Sequence, residues 1–379
     1  MFAMATNGVQ IENELADGAV NWLNSVLPAR WKAELIAQQA RGTDNDETGS
    51  AATTINIHSP HGNGFFAVEI KRSLSPRDAE LLTAGINRTL RSFSNVPLLV
   101  ISPWLSSRTQ DVLRNAGISY ADLTGNGWLR LDYPALFVKS TGAVHNPEPA
   151  ARTTVRLRGA KAGRLIRTLA DVIPPYGVRE LAVATDLTPG YVSRLLEALD
   201  RDALIDRSAR GAVTAVDHIA LLRRWTDTYD VLKSNEAKRF VAPQGVRSAF
   251  EALRIEAPLR RVAVTGSFAA ARLAPVAAPA LLLAYTDDIT RTAAALNLLP
   301  TDSGANVILL EPSDRVVWSG LTHDDGHTFV APSQSAVDCL TGTGRMPAEG
   351  EALLAWMAEN EELWRAQSLH DLVRTASRV

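Results

Sequence analysis

"VRELAVATDLTPGYVSRLLEALDRDALIDRSARGAVTAVD", Val178 to Asp217, is the stretch on which the reading of this 379-residue chain turns. Val192, Leu195, Leu196 and Leu199 recur at spacings of three and four, the period that gathers side chains onto one buried helix stripe. The opposite face carries Gly190, Ser193, Arg194, Glu197 and Arg201. Leu181 and Val183 place a shorter helix before this one, and "DLTP" separates the two. Thr188 is the expected N-cap, its hydroxyl accepting an orphan amide, and Pro189 suits the first helical position, where a missing N–H costs nothing. After Leu204, "IDRSARGAVTAVD" alternates apolar and polar residues around Gly211, which predicts a two-stranded hairpin carrying Arg207 and Arg210.

Helix, short turn, helix and hairpin in this order resemble a winged helix-turn-helix, whose second helix enters the major groove of DNA. Arg194 is then the candidate for a bidentate contact with guanine, with Thr188, Gly190, Tyr191 and Ser193 at bases or phosphates and Arg207 and Arg210 on the wing. Upstream, Arg152, Arg156, Arg158, Lys161, Arg164 and Arg167 run without an intervening acid, and Arg158, Lys161 and Arg164 are expected to fix phosphate register. From Arg152 to Arg224 the chain has thirteen basic and eight acidic residues, an excess of five in a protein whose formal net charge is −2. Phosphate affinity depends on where charge clusters, so the acidic total is a weak objection to DNA binding. Helix-turn-helix patterns also occur in protein-interaction modules, and a basic run can be a solvated face.

The first 148 residues read as an α/β domain. A helix with Trp22, Leu23, Trp31 and Leu35 on its apolar side precedes strands "TTINIH" and "FFAVEIKRS". Helix "SPRDAELLTAGINRTL", buried strand "PLLVIS", helix "SSRTQDVLRNAG" and strands "SYADLTG" and "WLRLD" follow. Glu69, Ile70 and Lys71 at a strand end resemble the second half of the PD-(D/E)xK motif of the restriction-endonuclease-like fold, in which a carboxylate pair holds Mg²⁺ and a lysine orients water. The aspartate expected on the preceding strand is missing, and Asp44, Asp46 and Glu47 fall in a turn-like segment. One carboxylate holds a metal poorly, so the domain is expected to be inactive; charged residues at a strand end also occur with no function.

Residues 149–217 form the expected DNA-binding domain, and 218–379 a helical linker and a further α/β domain. In the latter, Gly266-Ser267 followed by Asp287 and Asp288 resembles a nucleotidyltransferase core. The acids come late and adjacent, so two neighbouring strand residues would face opposite ways, and a degenerate domain serving as a platform is expected. His58 and His61, and His323 and His327, lie in turn-like segments, and neither a metal nor a cofactor is expected there.

"VEIKRSLSPRDAELL", "PLLVISPWLSSRTQDVLRNAGISYADLTGNGWLRL" and the helix-turn-helix after them resemble bacterial type IV toxin–antitoxin AbiEi-family antitoxins and related regulators, "ADLTGN", Ala121 to Asn126, being the most characteristic piece. The resemblance implies a multidomain α/β architecture and a transcriptional regulator; an antitoxin countering a nucleotidyltransferase toxin and a metal-dependent nuclease using Glu69 and Lys71 are the alternatives. Double-stranded DNA, a second copy of the chain and a toxin protein are the expected partners. With Cys339 as its one cysteine and no apolar run of membrane length, the chain is expected in the cytoplasm, on the nucleoid.

Overall fold

The computed structural model describes residues 2–37, 53–89, 97–144, 146–147, 157–255 and 261–371. Asp44, Asp46, Glu47, Arg152 and Arg156 lie outside these residues. The chain is mixed α/β and divides into two compact units, 1–153 with 201–203, and 154–200 with 204–379. Three domains are expected from the sequence; a break stands near residue 153, and none stands at Asp217.

In the first unit, helix α1 (Phe2–Val26) precedes strands β1 (Lys32–Ala37), β2 (Thr53–Ser59) and β3 (Gly62–Ile70). The sequence extends the first helix as far as Leu35, but Pro28 lacks an N–H and disfavours helical geometry in the residue before it, so α1 stops and Leu35 lies in β1. Helix α2 (Pro76–Thr89), strand β4 (Leu98–Ser102), helix α3 (Ser107–Asn115) and strands β5 (Ser119–Asp122), β6 (Gly127–Leu131) and β7 (Leu136–Ser140) complete the unit. The seven strands form one sheet in sequence order, antiparallel except for the pairs β3–β4 and β4–β5. Parallel neighbours need a crossover, which α2 and α3 supply. Ile55, Ile57, Phe66, Leu99 and Ile101 meet Leu15, Ala19 and Leu23 of α1 on one face. Val100 and Tyr120 meet Ala79 of α2 and Leu113 of α3 on the other.

The second unit opens with helices α4 (Ala160–Asp171), α5 (Val178–Thr185) and α6 (Pro189–Arg201), the hairpin β8 (Ile205–Arg207) and β9 (Val213–Val216), and helix α7 (His218–Thr226). Then come β10 (Glu236–Val241), α8 (Val246–Ile255), β11 (Val262–Thr265), α9 (Gly266–Leu273), β12 (Leu282–Thr286), α10 (Ile289–Ala295), β13 (Leu299–Pro300), β14 (Val307–Glu311), a 3₁₀ turn Arg315–Trp318, β15 (Thr322–Asp324), β16 (His327–Phe329), α11 (Pro332–Leu340), α12 (Met346–Glu359) and α13 (Glu361–Trp364). Seven strands of this unit form a mixed sheet ordered β13-β10-β14-β12-β11-β16-β15. One hydrophobic core joins Leu165 and Leu169 of α4 and Leu195 and Leu199 of α6 to Tyr285, Leu310, Val337 and Leu353, so the helix pair and the sheet share one core.

A buried polar network runs through that core. Arg167 on α4 is fully buried; its Nε and Nη2 donate to Asp171 at 3.2 and 2.8 Å, and its Nη1 donates to Gln334 Oε1 at 2.7 Å. Ser333 donates to the other Asp171 oxygen. Gln334 Nε2 in turn donates to Asp338 Oδ1 at 2.9 Å, where the Tyr229 hydroxyl also donates at 2.7 Å. Thr265 fills Oδ2 at 2.7 Å. Burial pushes the Asp338 carboxyl above the usual aspartate range, and the donors around it pull the other way.

Removing one partner of a buried ion pair leaves an uncompensated charge. Arg167→Ala is therefore expected to destabilise the second unit by about 3–5 kcal/mol. Hydrogen exchange checks this: amides of α4 and α11 should lose protection while those of β2–β4 keep theirs, and unchanged protection in α4 would show the network to be dispensable.

Candidate nucleic-acid interface

Two helices, α5 and α6, stand where the sequence places them. Glu180 in the first turn of α5 accepts the Gly177 N–H at 2.6 Å. Asp186, with φ of 53°, ends α5 in the left-handed region, and the Leu187 N–H reaches back to the Ala182 carbonyl at 2.9 Å. Pro189 then opens α6, and the Thr188 carbonyl accepts from Tyr191 and Val192 at 3.0 and 3.1 Å. Val192, Leu195, Leu196 and Leu199 are all buried.

On the outer face of α6, Thr188, Gly190, Arg194 and Glu197 are exposed. The Arg194 side chain lies back along the helix, its Nε donating to the Gly190 carbonyl at 3.2 Å, and Ser193 donates to Glu197 at 3.2 Å. A Cβ added to Gly190 would meet nothing within 4 Å, so the chain's own packing does not call for glycine there. Tyr191 is only half available: it packs against the core, and burial raises its hydroxyl pKa.

The β8–β9 hairpin pairs Ile205 with Val216 and Asp206 with Ala215, and a bulge follows before Arg207 meets Val213. Its turn is closed by Ser208 N–H to the Ala212 carbonyl and Gly211 N–H to the Ser208 carbonyl, both 2.8 Å, with Gly211 at φ +84°. Arg207 Nε donates to the Gly211 carbonyl at 3.3 Å, and Arg210 is exposed at the tip. Tyr176 adds a third strand position, exchanging backbone hydrogen bonds with Val213 at 3.0 and 3.3 Å.

The basic run before α5 divides. Arg158 and Lys161 are exposed around the start of α4, whose first turn has no acid. Arg164 does not serve the surface as the charge pattern suggests. Its Nε and Nη2 donate to Asp314 at 3.3 and 2.7 Å and its Nη1 to the Thr185 carbonyl at 2.9 Å, with 18% of the side chain exposed. Asp314 also accepts the Val316 N–H at 2.8 Å, so one carboxylate caps the 3₁₀ turn and neutralises Arg164. With Arg167 buried as well, the surface excess of positive charge is smaller than the sequence count.

The side chains of the enzyme-like motifs have contacts within the chain. Lys71 Nζ stands 2.7 Å from Glu69 Oε1, both about 40% exposed, and β2, reading TTINIHS, brings no carboxylate beside them. Ser267 donates to the buried Glu349 at 2.5 Å, and a Cβ on Gly266 would come within 3.0 Å of Met346. Asp287 and Asp288 lie just beyond β12, where Asp288 caps α10 through the Arg291 N–H at 2.9 Å. Of the histidines, His58 faces Glu34 at 3.4 Å and His327 stacks on Phe250 with ring centroids 3.9 Å apart. Among the described residues, no group of three or more His, Cys, Asp and Glu could hold a metal ion.

Asp122, inside "ADLTGN", is a structural lock. It is buried and accepts from the Leu105, Thr124 and Asn126 N–H groups at 2.9–3.0 Å, from the Thr124 hydroxyl at 2.7 Å and from Asn126 Nδ2 at 2.8 Å. Those bonds fix the β5–β6 turn.

Comparison of the chain with protein-family models, with curated proteins and with solved structures finds no match. Among the described residues, no helix is long and apolar enough to cross a membrane.

If Arg164 is structural, Arg164→Ala should cost about 1.5–3 kcal/mol of stability, the range for hydrogen bonds to charged groups. A thermal melt and a salt titration of DNA affinity separate the two roles. An unmoved melt with a flattened salt slope would return Arg164 to phosphate.

Proposed function

We propose that residues 157–217 are a winged helix-turn-helix that reads double-stranded DNA, and that the chain is a sequence-specific transcriptional regulator. The observation that carries this reading is α6: its apolar stripe is fully buried, and its outer face, starting at the helix N-terminus, presents Gly190, Arg194 and Glu197. A recognition helix needs that division, with small residues where the backbone approaches DNA and a long donor where base edges lie. Glycine adds conformational freedom that a helix must lose, and Gly190 stands in the first turn of α6 with no packing reason of its own. Close approach of a partner is a physical reason to keep it.

Arg158 and Lys161 strengthen the reading. Cations are disfavoured at the positive end of a helix dipole, so two of them near the uncapped start of α4 carry a cost that a phosphate would offset. Arg207 and Arg210 extend the same chemistry to the hairpin, where a wing would follow the backbone beside the groove. A homodimer would place two such helices on a palindromic site with half-sites about 34 Å apart or a multiple of it.

The test is a titration of the protein against its own upstream intergenic DNA and a scrambled duplex at several salt concentrations. Arg194→Ala is expected to lose about 1–3 kcal/mol of preference for the native site. Lys161→Ala should weaken both duplexes equally and reduce the log–log salt slope by about 0.9. Equal binding of both duplexes by the unaltered protein, with Arg194→Ala indistinguishable from it, would overturn the assignment.

A further inference from the structure

At one edge of the first unit's sheet, β6 and β7 pair antiparallel, with Trp128 opposite Lys139 and Arg130 opposite Phe137. Directly opposed residues share a face of a sheet, as do residues two apart on a strand. These four side chains therefore form a square in which aromatic ring and cation alternate. The two rings meet across its diagonal, edge to face, with centroids 6.1 Å apart at 86°.

Phe137 is 64% exposed, and Arg130 and Lys139 are exposed beside it. Strand register does not explain this exposure, because β7 already serves the interior with Leu136 and Val138, which pack into the core on the opposite face. The outward positions of β7 are free to be polar, yet one is a phenylalanine. Asp132, 91% exposed, stands 3.6 Å from Arg130 Nε, a loose pair that water and salt screen. An exposed ring flanked by cations matches the two surfaces of a nucleotide, a flat base and a phosphate. Base faces are accessible only where a strand is unstacked, so a ring offered for stacking selects a single strand over a duplex.

We propose that the β6–β7 face binds single-stranded DNA, with a base stacked on Phe137 and flanking phosphates held by Arg130 and Lys139. Trp128 buttresses the ring edge to face. The choice of DNA over RNA rests on the duplex reading given to α6; the stacking geometry does not.

Anisotropy titrations of the full chain with a labelled fifteen-residue oligo(dT), its oligo(rU) counterpart and the duplex operator test this. Phe137→Ala should weaken oligo(dT) about tenfold, in the range for loss of one stacked base. Phe137→Tyr should restore it, and neither change should move duplex affinity. Arg130→Gln with Lys139→Gln should lower the single-strand salt slope by about 1.4, two contacts at about 0.7 each. Tight oligo(dT) binding that follows these variants in a protein indifferent to duplex would uphold this site and remove the α6 reading. Duplex binding without oligo(dT) binding would do the reverse. Preference for oligo(rU), or a Phe137→Ala change seen only as altered self-association in sedimentation, would overturn the proposal.

Discussion

The side-chain amide of Gln334 is the constraint from which much of the second unit follows. Its oxygen accepts from Arg167 and its nitrogen donates to Asp338, so one neutral group links the guanidinium to the carboxyl. The orientation is forced, because a guanidinium has no acceptor and a reversed amide would point N–H at N–H. Arg167 belongs to α4 and Gln334 to α11, and Asp338 carries the chain of bonds on to Tyr229 and Thr265. Apolar contact alone would hold these elements together without choosing a register. The polar chain chooses one, since sliding α4 by a turn would leave several buried groups unmatched.

Features set by local spacing were legible in the sequence. The buried stripe of α6, the proline that opens it and the hairpin after Leu204 all follow from periods and turn chemistry within a few residues. Pro28 was also there to be read, and it ends α1 where the apolar pattern alone runs on. What spacing does not reveal is which distant acid a base will meet. Arg158, Lys161, Arg164 and Arg167 look alike as a run, but Asp314, 150 residues further on, draws Arg164 inward. Arg167 finds Asp171 one turn away, a pairing that the sequence does offer at i and i+4. The other readable hint was on α11, where Gln334 and Asp338 stand at that same spacing.

The same distinction explains the motifs that suggest enzymes. A glycine-serine turn, a Glu-x-Lys strand end and an adjacent acid pair are short patterns, and short patterns also solve structural problems. Here Ser267 satisfies a buried glutamate, Lys71 neutralises its neighbour on the strand and Asp288 starts a helix. Asp122 shows the structural use most fully, with four donors from its own turn and a fifth from the Leu105 N–H on the neighbouring connection. A carboxylate so surrounded is committed to its backbone and has little capacity left for a ligand.

The helix pair is not a detachable cassette. Gly163 of α4 lies where a side chain would strike Trp225 of α7, and Arg365, near the far end of the described chain, donates to the carbonyls of Leu169 and Val172 at the end of α4. Residues 366 and 171 are joined by a backbone hydrogen bond of 2.7 Å. Cut after Asp217, the segment would lose both its apolar backing and the cap on its first helix. A transplant of this helix pair into another protein would therefore have to bring the rest of the second unit with it, because the core that backs the pair is shared with the sheet.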